Sequence, residues 1–345
     1  MHNDTASQVM VLMSTYNGER FLWQQLESIY KQSRSVDRMV IADDGSTDGT
    51  VSLIRKFIAD HGLDSRWQLK LNEENLGWKR SFFRLLCAAE GDIVLFCDQD
   101  DVWLPQRVER TLKTLAEYPQ ALCLACRWQP IDAKGHVLDI GKHRETHLIS
   151  KPGSYFDIHT GEAQSGCLLA CKRELLDLIR DSAMGVESAS VVPPYDMFLS
   201  RYAYFLGGYY AIDEIWHLHR FHKGNATADI SNTGTCYGRG KTSARLEFCE
   251  EALLVLTSLE PLVDRCGQKC EKFKEIQAWD EARISLMRSG RLSSFVTALR
   301  ICRGHKRAMI QVFGDLCYHM GIQSIVGRLL SIPTDVYHKF SRILL

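Results

Sequence analysis

Ile93-Val94-Leu95-Phe96-Cys97 runs without a polar residue directly into Asp98-Gln99-Asp100-Asp101. Continuous apolar character suits a strand covered on both faces, as the inner strands of a parallel sheet are. Ligands of open α/β sheets gather in the crevice at the carboxyl ends of the strands, so an acidic cluster placed there marks a candidate site. Three carboxylates within four positions repel one another unless a cation or hydrogen bonds answer them. Mg²⁺ or Mn²⁺ suits that need, because it prefers hard oxygen ligands and leaves positions for substrate phosphates. Asp98 and Asp100, two apart in an extended segment, project to the same side. Asp101 reads equally well as the cap of a helix that begins near Pro105.

Working outward, Val9–Met13, Met39–Ala42 and Gln68–Leu71 read as further strands. Leu22, Leu26 and Ile29 fall on one helical face, as do Phe82, Leu86 and Ala89. This alternation predicts an open α/β sheet flanked by helices. The first strand is followed by Ser14-Thr15-Tyr16-Asn17-Gly18-Glu19, and the second by Asp43-Asp44-Gly45-Ser46-Thr47-Asp48-Gly49-Thr50. Asp48 reads most simply as a cap for the helix carrying Val51, Ile54, Phe57 and Ile58. Asp44, directly at the strand end, is either a turn residue or an acceptor for the imide N–H of uracil or thymine. Further strands are expected at Gly166–Cys171, Tyr209–Ile212 and Ile215–His219, interleaved with helices near Arg173–Arg180 and Asp196–Leu206. Alternation in Ile215–His219 places His217 and His219 on one face. From about Leu246 the pattern is purely helical, and the Gly/Ser/Thr/Asn-rich stretch Asn225–Thr242 divides a 1–235 catalytic domain from a 236–345 helical region.

Four motifs, taken together, resemble the family 2 glycosyltransferases of the GT-A fold. They are Ser14–Leu22, Ala42–Thr50, Asn75-Leu76-Gly77 and Asp98–Pro105, in that order. The resemblance continues through Gly166-Cys167 and Tyr195-Asp196-Met197-Phe198 to His219–Asn225, and is closest to the bacterial rhamnosyltransferase-like branch that builds surface polysaccharides. It implies a Rossmann-like open mixed sheet and an inverting transfer of a sugar from a nucleoside diphosphate to a hydroxyl. Thr15, Tyr16, Glu19 and Asp44 would then hold base and ribose, and Lys79 or Arg80, just beyond Gly77, would either add positive charge at the phosphates or be solvated on a helix. Asp98 and Asp100 would form the D-x-D element, Asp98 toward ribose or metal and Asp100 on the Mn²⁺ or Mg²⁺, with His222 close to the pyrophosphate and metal. Asp196 would be the catalytic base, although an aspartate after Pro193-Pro194-Tyr195 also reads as a helix cap. Trp103, Gly166 and Cys167 would line the acceptor pocket. The family often carries His-Asp-Trp-Trp-like residues where this chain has Tyr195-Asp196-Met197-Phe198, a departure that bears on the shape of that pocket.

Composition bounds the remaining possibilities. The chain has 345 residues, 45% hydrophobic, with 42 basic and 42 acidic side chains. Such a composition supports one large or two ordinary packed domains and excludes disorder. Zero net charge lends no support to a nucleic-acid binder. It conceals a division, for residues 282–345 carry net +8 and residues 1–281 net −8. Basic, amphipathic helices there would pack on the catalytic domain, on a second subunit in a homodimer, or on anionic lipid beside a lipid-linked glycan acceptor. No apolar run approaches the ~18 residues of a membrane span, nor is there a signal-peptide pattern. The expectation is a cytoplasmic enzyme, peripheral on the inner face of a bacterial plasma membrane. The twelve cysteines sit mostly in apolar runs and read as buried thiols; Cys123-x-x-Cys126 lacks the second pair of a zinc finger. Gly238-Arg239-Gly240-Lys241-Thr242 ends like a P-loop, but Thr235 stands where the first glycine is required. A sugar-nucleotide nucleotidyltransferase and a non-catalytic carbohydrate-binding relative are the alternatives. The first would need a glycine-rich basic loop after strand one, and the second would show a broken acidic cluster.

Overall fold

The computed structural model describes residues 7–138, 149–150, 165–183, 185–186, 191–222 and 243–320. Strands β1 (Val9–Thr15), β2 (Arg38–Asp43), β3 (Trp67–Leu71) and β4 (Ile93–Cys97) are followed by β5 (Val102–Trp103), β6 (Cys123–Ile131), β7 (Ile149–Ser150), β8 (Leu169–Lys172) and β9 (Tyr209–Arg220). They form one mixed sheet in the order β3-β2-β1-β4-β8-β6-β9-β5, with β7 also on β9. The first four are parallel. Their crossovers run through α1 (Glu19–Tyr30), α2 (Thr50–Asp60) and α3 (Trp78–Cys87), as the apolar spacing predicts. Beyond β4 the sheet changes sense. β8 is antiparallel to both β4 and β6, and β6 is parallel to β9.

Odd and even residues of β1 enter different cores. Val9, Val11 and Met13 pack with Leu22, Leu26, Ile54 and Phe57 of α1 and α2. Met10 and Leu12 share a core with Phe82 and Leu86 of α3, Leu175 and Leu176 of α5 (Arg173–Ser182), and Phe198 and Tyr202 of α6 (Tyr195–Phe205). This two-sided burial explains the absence of polar alternation in β1 and β4. The second core continues into the C-terminal helices α7 (Ser243–Leu259), α8 (Cys270–Ser289), α9 (Leu292–Ile301) and α10 (Lys306–His319), taking in Leu256, Ile276, Trp279 and Val312. The expected division at residue 235 and the Gly238–Thr242 segment lie outside the described residues. Among the described residues, no helix is long and apolar enough to cross a membrane.

Three elements differ from expectation. β6 is a strand although Arg127-Trp128-Gln129-Pro130 breaks the apolar run; it tolerates this through register shifts against β9 around Arg127. Tyr209–Ile212 and Ile215–His219 join into one strand of 12 residues. Gly166–Leu168 is a 3₁₀ turn rather than the start of β8. Cys123 and Cys126 are buried free thiols, one in each core, so the C-x-x-C spacing places them on opposite faces of β6.

Candidate active site

The acidic loop after β4 is fastened by β9 and by α4 (Arg107–Glu117). Asp101, fully buried, accepts from His217 Nε2 at 2.8 Å, His219 Nδ1 at 3.0 Å and the Arg220 amide at 2.9 Å. Arg107 donates to His217 Nδ1 at 2.6 Å and to the Cys167 carbonyl at 2.6 Å. With Nδ1 accepting, His217 carries its proton on Nε2 and is neutral. Burial pulls its pKa down to about 4, against the attraction of Asp101. Burial also opposes charge on His219, but Asp101, Asp98 and Asp100 lift its pKa to about 9. Burial would raise the Asp101 carboxyl; its contacts with His217 and His219 outweigh this and hold it well below the usual range. Ligand-type atoms of Asp101, Cys167, His217 and His219 lie within 4.8 Å of one another. Asp101 bonds both histidines, however, and the Arg107 guanidinium donates to His217 and to the Cys167 carbonyl, so these residues form a hydrogen-bonded knot that shapes the loop.

Asp98 and Asp100, on either side of Gln99, are partly buried. His222 Nε2 lies 2.7 Å from Asp100 Oδ2, and its ring packs on Phe21 with centroids 4.5 Å apart. Arg220 Nε donates to the Asp100 carbonyl at 2.7 Å. The Cys167 thiol hydrogen-bonds the Asp98 carboxylate, whose pKa is pushed up to about 7 by burial first and then by Asp101 and Asp100. His222 is thus placed beside Asp100, whereas the ligand-type atoms that converge among the described residues are those of Asp101, Cys167, His217 and His219.

The loops after β1, β2 and β3 are tied by side chains of the other sequence motifs. Thr15 is buried and donates to Asp43 Oδ2 at 2.8 Å. Glu19 Oε2 accepts the Gly49 amide at 2.9 Å. Asp48 Oδ1 accepts the Thr50 amide at 3.0 Å in an Asx-type turn just ahead of α2, whose N-cap position is Gly49 rather than Asp48. Asp44 accepts from Asn72 Nδ2, Leu76 N and Gly77 N at 2.8, 2.9 and 2.8 Å. Gly77 has φ 77° and ψ 149°, a conformation only glycine adopts readily. Tyr16 leaves its ring exposed while its backbone N–H and C=O bond Gln99 Oε1 and Nε2 at 2.9 and 3.0 Å. Sequence reasoning missed Gln99, treating it as the spacer of D-x-D. Gly18 was the available signal, since a Cβ there would lie 2.2 Å from Gln99 Oε1.

Asp196 sits in the first turn of α6. Its carboxylate accepts the backbone amides of Gly166 and Met197. Burial raises its pKa, and Arg201 opposes the rise. Gly166 has no room for a side chain, because a Cβ would meet the Tyr195 ring at 2.1 Å. Gly166-Cys167 is thus shared: its first residue holds Asp196 and its second holds Asp98.

Two expected roles are corrected. Trp103 does not line a pocket; it is buried in the core beneath the Arg107 guanidinium, 4.0 Å from its ring centroid. Lys79 is committed to the helical region, where it pairs with Glu247 at 2.8 Å and with Glu251. Its charge is already answered there. An open groove of about 350 Å³ lined by Leu253, Glu281, Ile284 and Arg288 also lies among the C-terminal helices, away from the acidic edge.

A mixed sheet with carboxylates at the β4 end and a second aspartate opening a helix beside them defines the GT-A class. Residues 10–178, just under half of the chain, match the family model for Glycosyl transferase family 2, which assigns that segment to the family. It is 26% identical over 197 residues to the dTDP-rhamnosyl transferase RfbG of Shigella flexneri, covering 55% of this chain and 64% of that one. It is 32% identical over 115 residues to the EpsE protein of Bacillus subtilis, named as a glycosyltransferase, covering 33% of this chain and 41% of EpsE. The chain thus spans less than two thirds of the length of either relative. The crystal structure of S. aureus TarS residues 1–349 in complex with UDP-GlcNAc shares the fold, with TM-score 0.58 at 15% identity over 93% of this chain and 90% of that one. The family is one of glycosyl transfer, which favours neither the nucleotidyltransferase nor the binding-protein alternative.

Proposed function

We propose that this chain is a metal-dependent inverting hexosyltransferase of bacterial surface polysaccharide (O-antigen or capsule) synthesis. It would move a sugar from dTDP-rhamnose or a UDP-hexose to a hydroxyl of a lipid-linked oligosaccharide at the cytoplasmic face of the membrane. The observation that carries the reading is the Gly166-Cys167 bridge, which sets Asp196 at a fixed place relative to the acidic crevice. A carboxylate held by backbone amides, with its pKa raised by burial, is a competent base for the acceptor hydroxyl as it attacks the anomeric carbon. Likeness to a dTDP-rhamnosyl transferase supports the donor class.

In this reading the exposed Tyr16 ring and the Asp44–Gly77 loop receive the nucleoside, and Thr15 and Glu19 act by ordering the loops that carry them. Asp98 and Asp100, hard carboxylate donors with an imidazole beside them, fit Mn²⁺ or Mg²⁺. When bound, such an ion supplies Lewis-acid neutralisation of the departing nucleoside diphosphate. Purified protein offered a panel of nucleotide sugars with Mn²⁺ should bind one and transfer its sugar to a lipid-linked acceptor. Asp196→Asn should retain donor binding and lose transfer by about 10²-fold or more. Near-normal transfer by that variant, or by Asp100→Ala, would sink the mechanism.

A further inference from the structure

The basic excess of residues 282–345 is not evenly displayed. Arg283 is buried against Asp315, and Arg288 pairs with Glu250. Arg283 is out of reach of an outside partner, and Arg288, though exposed, already has an anionic one. Among the described residues, the other exposed cations of this stretch lie on α9 and α10 or at their ends. On α9, Ala298 is buried and Phe295 and Leu299 lean on the core. On the other side Leu292 (73% exposed), Val296 (54%) and Arg300 follow one another at i, i+4 and i+8, a single stripe. On α10, Ala308, Val312 and Asp315 are buried, while Lys306, Ile310 and Phe313 (51% exposed) recur at i, i+4 and i+7. The rings of Phe295 and Phe313, with centroids 5.3 Å apart, bring the two helices side by side.

Charge decides what such a surface meets. Between Gly290 and Met320 the only acidic residue is Asp315, which is buried. Arg291, Arg300, Arg303 and Lys306 are all exposed. Exposed aliphatic and aromatic side chains on helices whose own exposed charges are all cationic are the signature of a helix lying in the interface of an anionic bilayer. A second copy across a two-fold axis would instead set one cationic rim against another.

We propose that the exposed stripes of α9 and α10 form the surface by which this protein lies on an anionic membrane, with Leu292, Val296, Ile310 and Phe313 entering the headgroup region. The proposal deepens the reading of a lipid-linked acceptor, but its test is independent of transfer.

Full-length protein should sediment with phosphatidylcholine vesicles containing about 30% phosphatidylglycerol and not with pure phosphatidylcholine. That binding should fall as salt rises from about 0.05 to 0.3 M. Leu292→Glu/Val296→Glu, and separately Arg300→Glu/Arg303→Glu, should each reduce partitioning at least about tenfold, with melting temperature and donor hydrolysis unchanged. The idea is overturned if the wild-type chain ignores anionic vesicles or binds neutral ones equally. It is also overturned if both variants bind as the wild type does, or if Leu292→Glu/Val296→Glu converts a solution dimer to a monomer, which would give the face to a second copy. Vesicle binding without donor hydrolysis by the wild type would count against the transferase reading alone.

Discussion

Asp44 Oδ2 accepts the backbone N–H of Gly77 at 2.8 Å, and Asp44 Oδ1 takes the Leu76 amide and the Asn72 side chain. One buried carboxylate at the end of β2 therefore fixes the whole turn that leads into α3. Three of its about four acceptor sites are taken by the protein itself, so Asp44 shapes this loop in addition to any contact it makes with a base.

Asp44→Asn keeps the shape of the side chain but presents an NH₂ group where a third donor needs an acceptor. Hydrogen bonds to a charged group are worth about 1.5–3 kcal/mol, so urea unfolding should show a loss of that order together with weaker nucleotide binding. Undiminished stability with a large fall in donor affinity would instead make Asp44 a direct base-binding group.

Gly166→Ala should be harmful out of proportion to its size. The added methyl would collide with the Tyr195 ring, which is itself stacked against Phe82 and Phe96 with centroids at 4.4 and 4.8 Å. Overpacking of this kind costs about 1–3 kcal/mol. Because the same residue's amide holds Asp196, kcat should fall more than donor affinity does. Equal losses in kcat and in binding would show that the bridge does not position the base.

How far these relationships were readable follows from their range along the chain. β1 to β4 and the acidic edge were legible because apolar runs, turn residues and carboxylates lie within a few positions of each other. β6 was hidden because its partner β9 begins 86 residues after β6 starts, and its pattern is broken at Arg127 and Pro130. The His217–Asp101 bond joins residues 116 apart, and nothing local to either predicts it, although the alternation around His217 and His219 did place both rings on one face. Lys79 and Trp103 show the opposite error. Their motif positions were right, but their partners, Glu251 and the Arg107 guanidinium, are set by packing.

If Asp196 is the base, it must be ionised to act, so transfer should rise with pH through its pKa. Burial raises that pKa and Arg201 opposes the rise, so the acidic limb should lie above the ordinary carboxylate value of 3.8. Arg201→Met removes the opposing charge and should move the limb to higher pH, whereas Arg201→Lys should leave it nearly in place. Profiles of kcat/KM against pH for the three proteins check this. A limb that does not move in Arg201→Met would remove Arg201 from any influence on the base.

The helical region carries its own pH dependence through Asp280, which is fully buried on α8 with the Arg283 guanidinium 3.8 Å away. Burial pushes its carboxyl up to about 7 despite Arg283 and Arg201, while in the unfolded chain it titrates near 3.8. Between those values the unfolded state has released the proton and the folded state still holds it, so stability falls as pH rises from about 4 to 7. Three pKa units correspond to at most about 4 kcal/mol. Asp280→Asn abolishes the titration without changing the shape, so its stability relative to the wild type should be larger at pH 8 than at pH 4. Arg283 retains its bonds to Asp315 at 2.6 and 3.2 Å in that variant, so the α8–α10 contact should persist. Urea unfolding at the two pH values measures the difference directly, and a gap that is the same at both would show that Asp280 does not titrate in this range.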